Sequence, residues 1–295
     1  MIITRGARML KETSIHKNQI ILQTAYFDLK QTFECGQCFR WNEVGQGHYI
    51  GLVKDKVLEM YQEGQEISFY NTDEKDFKDI WVDYFDLNRN YEELIEEISK
   101  EKIMKAATEY GKGIRILCQD EWETLISFII SANNNIPRIK KILESFSKLF
   151  GQKISYKGEE YYTFPTLESL QGITEKDLEE IKSGYRAKYI IDAVQKVNEG
   201  QVDLYNLKNL ETEEARKELL KIKGIGPKVA DCILLFSMRK YNCYPIDVWI
   251  RKITEKVYFK RESTPKEIQK FAQDMWKDNA GFAQQYLFYY ARNEF

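Results

Sequence analysis

The sequence predicts an α+β protein, with a small antiparallel sheet near the N-terminus followed by an all-α region. Three observations predict it. Between about residues 18 and 71, short β-branched and aromatic segments alternate with glycine-bearing turns. From about residue 74 the apolar residues recur three and four apart, the period of helices packed on one face. Further on, a tight Gly224-Ile225-Gly226 turn joins two helical stretches, and Pro227 opens the second. Strands first and helices afterwards describe α+β, not an alternating parallel-sheet fold.

The strand candidates run in order as QIILQ (19–23), FRWNEV (39–44), HYIGLV (48–53), KVLEMYQ (56–62) and EISFYN (66–71), with turns such as VGQG and QEGQ between them. Helical periodicity follows in EKDFKDIWVDYF, YEELIEEI and ETLISFIISA. In RIKKILESFSKLF it places Ile139, Ile142, Leu143, Phe146 and Leu149 on one side. Later helices are predicted at 175–182, 187–198, 212–221, 227–239, 248–258, 265–277 and 281–293. There are no internal repeats. This divides the chain into a sheet domain with flanking helices, residues 1–104, and a helical region, 105–295, holding a helix-hairpin-helix at about 212–239.

With 295 residues, 19 Tyr, 16 Phe and only 5 Pro, the chain has the material for a large core. No apolar run reaches the ~20 residues of a membrane span, and the start, MIITRGARMLKETSIHKNQ, has no apolar signal region. Five cysteines, an odd number, fit reduced thiols and a cytoplasmic location. The Cys35-x-x-Cys38 pair has no second metal-spaced pair, and the chain has two histidines, so neither a metal site nor any other cofactor is expected. Net charge is −2, but it is unevenly distributed: residues 73–101 hold eleven Asp/Glu against four Lys/Arg, and residues 182–261 hold seventeen Lys/Arg against ten Asp/Glu. The basic half contains the hairpin, which suits a polyanionic partner.

Residues 212–251, TEEARKELLKIKGIGPKVADCILLFSMRKYNCYPIDVWIR, carry most of the chemistry. Gly224 and Gly226 allow close approach of another chain, and amides at the turn and helix start can cradle a phosphate without reading sequence. Lys228 sits in the first turn of the second helix, where the macrodipole disfavours a cation. Cys232 lies one turn later on the same face. Asp247, ahead of the apolar-periodic Val248, Ile250, Ile253 and Val257, occupies an N-cap position. A nucleophilic amine and a fixed carboxylate beside a phosphate cradle suit attack on a sugar carbon of DNA. A non-enzymatic DNA-binding module uses the same hairpin, but it needs neither Lys228 nor Asp247.

GIGPKVADC followed by PIDV resembles the helix-hairpin-helix DNA glycosylases, specifically the 8-oxoguanine DNA glycosylase/lyase branch. The resemblance extends through ECGQCFRW, SFIISANNNIPRI, SGYRAKY and AGFAQQYLF, in the family's order and over most of the chain. It implies a twisted antiparallel sheet domain plus helical glycosylase domain, acting as a monomer on double-stranded DNA with no membrane partner. It implies Lys228 as nucleophile and Asp247 as catalytic carboxylate. It implies a base pocket of Cys232, Phe236, Gln284 and Phe288, with the Gly36 carbonyl inspecting N7. Asn133, Arg138 and Arg186 would face the opposite base, Tyr185 would wedge into the stack, and Gly224 and Gly226 would hold phosphate. No four-cysteine cluster follows the hairpin, which sets the iron–sulfur relatives aside. An alkylpurine or oxidised-pyrimidine glycosylase on the same scaffold is the nearest alternative, although monofunctional alkylbase enzymes lack the lysine. The chain departs from the eukaryotic members at Trp249, where they have a phosphate-holding histidine. Its indole N–H can donate instead, or the ring can pack in the core.

Overall fold

The computed structural model describes residues 13–16 and 19–295; the N-terminal stretch assessed above for a signal region lies largely outside them. The sheet has six antiparallel strands: β1 (Thr13–His16), β2 (Gln19–Gln23), β3 (Trp41–Gly45), β4 (His48–Val53), β5 (Lys56–Glu63) and β6 (Glu66–Tyr70), in the order β1-β2-β6-β5-β4-β3. The five strands predicted from alternation are all present. The turns are fixed locally, as at Gly47, whose φ of +67° points an added Cβ at the Gln62 carbonyl, 2.7 Å away. The predicted α+β class is the observed one.

Helix α1 (Leu29–Glu34) interrupts the strands, with Asp28 capping it by accepting from Gln31 N–H. After β6 a continuous helical run comprises α2 (Glu74–Asp76), a π-turn (Phe77–Trp81) and α3 (Val82–Tyr84). Then come α4 (Tyr91–Ile98), α5 (Lys102–Tyr110), α6 (Glu121–Ser131) and α7 (Ile136–Phe150). A hairpin, β7 (Lys153–Tyr156) and β8 (Glu159–Tyr162), precedes α8 (Ala187–Asn198), α9 (Thr212–Leu219), α10 (Pro227–Met238) and α11 (Val248–Ile253). The last helices are α12 (Pro265–Trp276) and α13 (Ala280–Glu294). Side-chain caps start many of them: Asn90 for α4, Asp120 for α6, Asn135 for α7, and a Thr264–Glu267 capping box for α12.

Two predictions of local structure need correcting. Residues 175–182 form successive tight turns, not a helix, with Leu178 N–H to Glu175 O (3.1 Å) and Lys182 N–H to Glu179 O (3.0 Å). Only Leu178 and Ile181 reach the core there, and a spacing of three suits three-residue turns better than a 3.6-residue helix. The helix predicted at 248–258 is α11 followed by a π-turn at Thr254–Phe259. α1, α5, β1 and the β7–β8 hairpin were not anticipated. The hairpin holds to the sheet because Tyr156 and Lys157 bond to Glu59, a buried carboxylate of β5 that His48 also contacts at 2.9 Å.

Two apolar cores result. One lies under the sheet, where Phe33 stacks on Trp41 at 4.2 Å and Trp81 on Phe85 at 5.9 Å. The other fills the helical region and takes in Tyr91, Leu94 and Ile98 of α4. Arg115, fully buried, spans the two. Its Nε donates to Phe85 O (2.8 Å), and its guanidinium lies 4.0 Å from the Tyr91 ring centre. The seam between the two cores carries the loop after α1, where Cys35 packs in one core, Cys38 in the other, and Gly36 lies against α13.

Candidate active site

α9, the Gly224–Gly226 turn and α10 form the helix-hairpin-helix. Lys223 N–H donates to Asp192 of α8 (2.8 Å), and Gly224 takes a φ of +84°. The Tyr189 ring lies where a Cβ on Gly224 would be, 2.3 Å away, so conformation and space both require glycine. Gly226 is the N-cap of α10 without a side-chain cap, and Pro227 contributes no N–H, so the first-turn amides have no side-chain acceptor of that kind. A helix start open in this way suits an anion.

Lys228, half-buried in that first turn, has its Nζ 5.6 Å from the ring centre of Phe128 on α6. Asp247 caps α11, its Oδ1 accepting from Ile250 N–H (2.9 Å) and Trp249 N–H (3.1 Å). Burial raises the Asp247 carboxyl above the ordinary aspartate range, opposed by the Ile250 N–H, the Lys228 charge and the Trp249 N–H. Burial likewise pushes the Cys232 thiol up to about 11, and Lys228 again opposes. One ammonium therefore acts on both groups, which brings Lys228, Cys232 and Asp247 into a single electrostatic neighbourhood. Lys228 and Cys232 lie on α10, and Asp247 sits at the N-cap of α11.

The pocket candidates come from three elements. Cys232 and Phe236 follow Lys228 at four-residue steps along α10, and both are buried; Phe236 stacks on Phe128 at 5.6 Å. Gln284 and Phe288 lie one turn apart on α13. The Gln284 side-chain oxygen is buried with no hydrogen-bond partner among the described residues, an acceptor waiting for a donor. Gly36, in the loop after α1 with φ +87°, lies against Phe288, whose ring is 3.4 Å from where a Cβ would sit. Cys35 and Cys38, flanking it, are buried free thiols bonded to the Thr32 and Phe33 carbonyls.

The candidates for the opposite strand gather at a second edge. Asn133 is exposed in a left-handed conformation, φ +50°, just after α6. Arg138 is exposed on the first turn of α7, and Tyr185 is 52% exposed on the turn before α8. Arg186 is different: it is 2% exposed and donates to Ala132 O (2.9 and 2.6 Å), Asn133 O (2.8 Å) and Ser183 O (3.4 Å). In this state it holds the Ala132–Asn133 backbone. Trp249 is half-buried against the helical core, with Lys252 Nζ 5.0 Å from its ring. Sequence reasoning missed Phe128 and Tyr189, because an aromatic inside an apolar helix gives no sign of what it faces.

The hairpin, the amine and the capping carboxylate on a helical domain joined to an antiparallel sheet place the molecule in the class of helix-hairpin-helix base-excision enzymes, and comparison with known proteins agrees. Residues 126–278 match the HhH-GPD superfamily base excision DNA repair proteins, and residues 19–125 match the 8-oxoguanine DNA glycosylase N-terminal domain. A probable N-glycosylase/DNA lyase of Methanothermobacter thermautotrophicus is 30% identical, over 90% of this chain and 94% of its own length. The N-glycosylase/DNA lyase OGG1 of Arabidopsis thaliana is 32% identical, over 88% of this chain and 76% of its own. The Clostridium acetobutylicum 8-oxoguanine glycosylase/lyase, solved with duplex DNA containing cytosine opposite 8-oxoguanine, superposes with a TM-score of 0.92 at 45% identity, covering 95% of this chain and 97% of that one. The chain belongs to the HhH-GPD superfamily, in the branch that carries the 8-oxoguanine glycosylase N-terminal domain, and is a DNA glycosylase/lyase.

Proposed function

We propose that this enzyme excises 8-oxoguanine from duplex DNA and then nicks the strand, with Lys228 as the nucleophile for both steps. The observation that carries the reading is Lys228 in the open first turn of α10, with its charge acting on Asp247 at the N-cap of α11. Gly224, Gly226 and the first-turn amides hold a phosphate of the damaged strand, with Trp249 nearby on the start of α11. Tyr185 enters the stack, and the lesion swings out at a cost of a few kcal/mol of unstacking. The Lys228 lone pair attacks C1′ as the bond to N9 breaks, and Asp247 stabilises the cationic sugar. Ring opening gives a Schiff base. Loss of a C2′ proton then expels the 3′ phosphate by β-elimination.

Lesion choice rests on one proton. 8-Oxoguanine carries N7–H, a donor, whereas guanine N7 is an acceptor, so the Gly36 carbonyl bonds the first and meets a lone pair on the second. Leaving that acceptor pair desolvated costs about 1–3 kcal/mol. Cys232 and Phe288 cover the base faces, Phe236 backs the pocket, and the unpartnered Gln284 oxygen takes a donor from the Watson–Crick edge. A cleavage panel of 8-oxoguanine, methylated purines and oxidised pyrimidines against each opposite base, with borohydride trapping, tests the reading. Preferential trapping on 8-oxoguanine opposite cytosine supports it, and a preference for methylated purines overturns it.

Two further results are expected. Asp247 must be ionised to act, so excision falls on acidification through a point above the ordinary aspartate range. Asp247→Asn keeps a cap acceptor but removes the charge, so it loses that acid limb and on the order of 10²-fold or more in single-turnover rate. An acid limb unchanged in the variant would assign it elsewhere. On the opposite strand, Asn133, Arg138 and Arg186 suit cytosine, whose N3 and O2 accept, and disfavour adenine, which presents its N6 amine. Arg138→Met relaxes the cytosine preference by about 1–3 kcal/mol while lowering excision opposite cytosine less, measured as single-turnover rates opposite all four bases. Equal rates opposite all four in the unaltered enzyme would remove these residues from the readout.

A further inference from the structure

Four successive carbonyls run through the loop after α1, at Glu34, Cys35, Gly36 and Gln37. Three accept a bond from a side chain far away in sequence. Arg292 Nη2 donates to Glu34 O (2.8 Å), Gln285 Nε2 to Cys35 O (3.0 Å) and Gln119 Nε2 to Gln37 O (2.8 Å). Among the described residues no hydrogen bond is made to the Gly36 carbonyl between them. Gln37 is itself fully buried and fully bonded. Its Nε2 donates to Thr32 O (2.9 Å) and Arg115 O (2.7 Å), and its Oε1 accepts from Leu117 N–H (2.9 Å). Gln119 also donates its backbone N–H to Phe236 O (2.8 Å), tying the loop to the pocket helix α10.

This pattern has a chemical consequence. Turning over the Gly36–Gln37 peptide changes ψ of Gly36 and φ of Gln37, and Gly36, at φ +87° and without a Cβ, admits a ψ there that other residues do not. Turning it over replaces the carbonyl oxygen by the Gln37 N–H. A donor in that place rejects the N7–H of 8-oxoguanine and welcomes the N7 acceptor of guanine, which inverts the selectivity. The bonds to Cys35 O, Gln37 O and the Gln37 side chain oppose that rotation on both sides of the peptide.

We propose that Gln37, Gln119, Gln285 and Arg292 are positioning residues that set lesion specificity by locking the Gly36–Gln37 peptide with its carbonyl toward the base. The proposal rests on the reading of Gly36 given above. None of the four touches the reacting sugar. They act on which base is accepted, through one peptide orientation.

The test uses the full chain carrying Lys228→Gln to silence chemistry, and measures Kd for duplexes containing 8-oxoguanine, 7-deaza-8-oxoguanine, guanine or an abasic site analogue opposite cytosine. Gln119→Met keeps length and bulk but has no donor. Its preference for 8-oxoguanine over guanine is expected to fall about ten-fold, with guanine binding gained as well as 8-oxoguanine binding lost. The abasic duplex presents no base to Gly36, so general damage lowers all four affinities together, whereas release of the peptide changes their ratios. Arg292→Met, at the end of α13, makes the same measurement should Gln119→Met fail to fold. Unchanged ratios in the variants, or a uniform loss on all four duplexes, overturn the positioning role. If the parent protein itself binds 7-deaza-8-oxoguanine as tightly as 8-oxoguanine, the Gly36 readout is wrong, and the positioning role falls with it.

Discussion

Lys228→Gln abolishes base release and borohydride trapping, by at least on the order of 10³-fold, while lesion duplex still binds. The amide has no basic lone pair, so the bond to C1′ cannot form. Most of the aliphatic stem of the side chain, whose amine sits 5.6 Å from the Phe128 ring centre, is preserved, and the proposed phosphate cradle is made by backbone amides that the substitution leaves alone. Lys228→Arg behaves alike for a different reason, since a guanidinium keeps its proton and stays charged. Single-turnover excision and duplex affinity, measured side by side, separate chemistry from binding. Base release by the glutamine variant at the parental rate would mean that water, activated elsewhere, is the nucleophile. A hairpin used only for DNA binding would show no trapping in the parent either.

Arg216→Met lowers folding stability by about 3–5 kcal/mol. Arg216 Nε bonds Asp231 Oδ1 at 2.6 Å between α9 and α10, with side chains 14% and 6% exposed. Removing the guanidinium leaves the Asp231 carboxylate buried without its counter-charge, in the helix that carries Lys228. The pH dependence carries a definite sign. Burial raises the Asp231 carboxyl above its ordinary range, and Arg216 opposes that rise. A raised carboxyl favours the fold most fully below the ordinary aspartate value, and the favour is lost as pH climbs through the raised one. Without Arg216 the carboxyl rises further, so the deficit of Arg216→Met is largest near neutrality and shrinks on acidification. Denaturant midpoints at about pH 5 and about pH 8 check this. A pH-independent deficit would assign the loss to packing of the arginine stem.

Much of the fold was legible along the chain because its signals are local. Alternation in QIILQ and EISFYN, the four-residue steps of α7, Pro227 behind a glycine turn and Asp247 ahead of an apolar stripe each report on neighbours a few residues away. Short-range chemistry gave wrong answers where tertiary packing chose between near-equal options. Residues 175–182 had helical composition, but their two buried side chains, three apart, suited tight turns. The β7–β8 hairpin had no strong strand signal, and Tyr156 and Lys157 reach Glu59, nearly a hundred positions earlier.

The same division runs through the site. By itself the sequence determined the α+β class, the helix-hairpin-helix, and the motifs that carry Lys228, Asp247, Gly36 and Asn133, because turns, caps and periodicity are properties of contiguous residues. Only the tertiary structure decided what those residues face. It set Phe128 near Lys228 and Tyr189 against Gly224, and buried Arg186 with bonds to the Ala132 and Asn133 carbonyls. It also drew Gln119, Gln285 and Arg292 onto the loop around Gly36. The physical reason is that a hydrogen bond or an ion pair depends on distance in space and on exclusion of water, and neither is a function of separation along the chain.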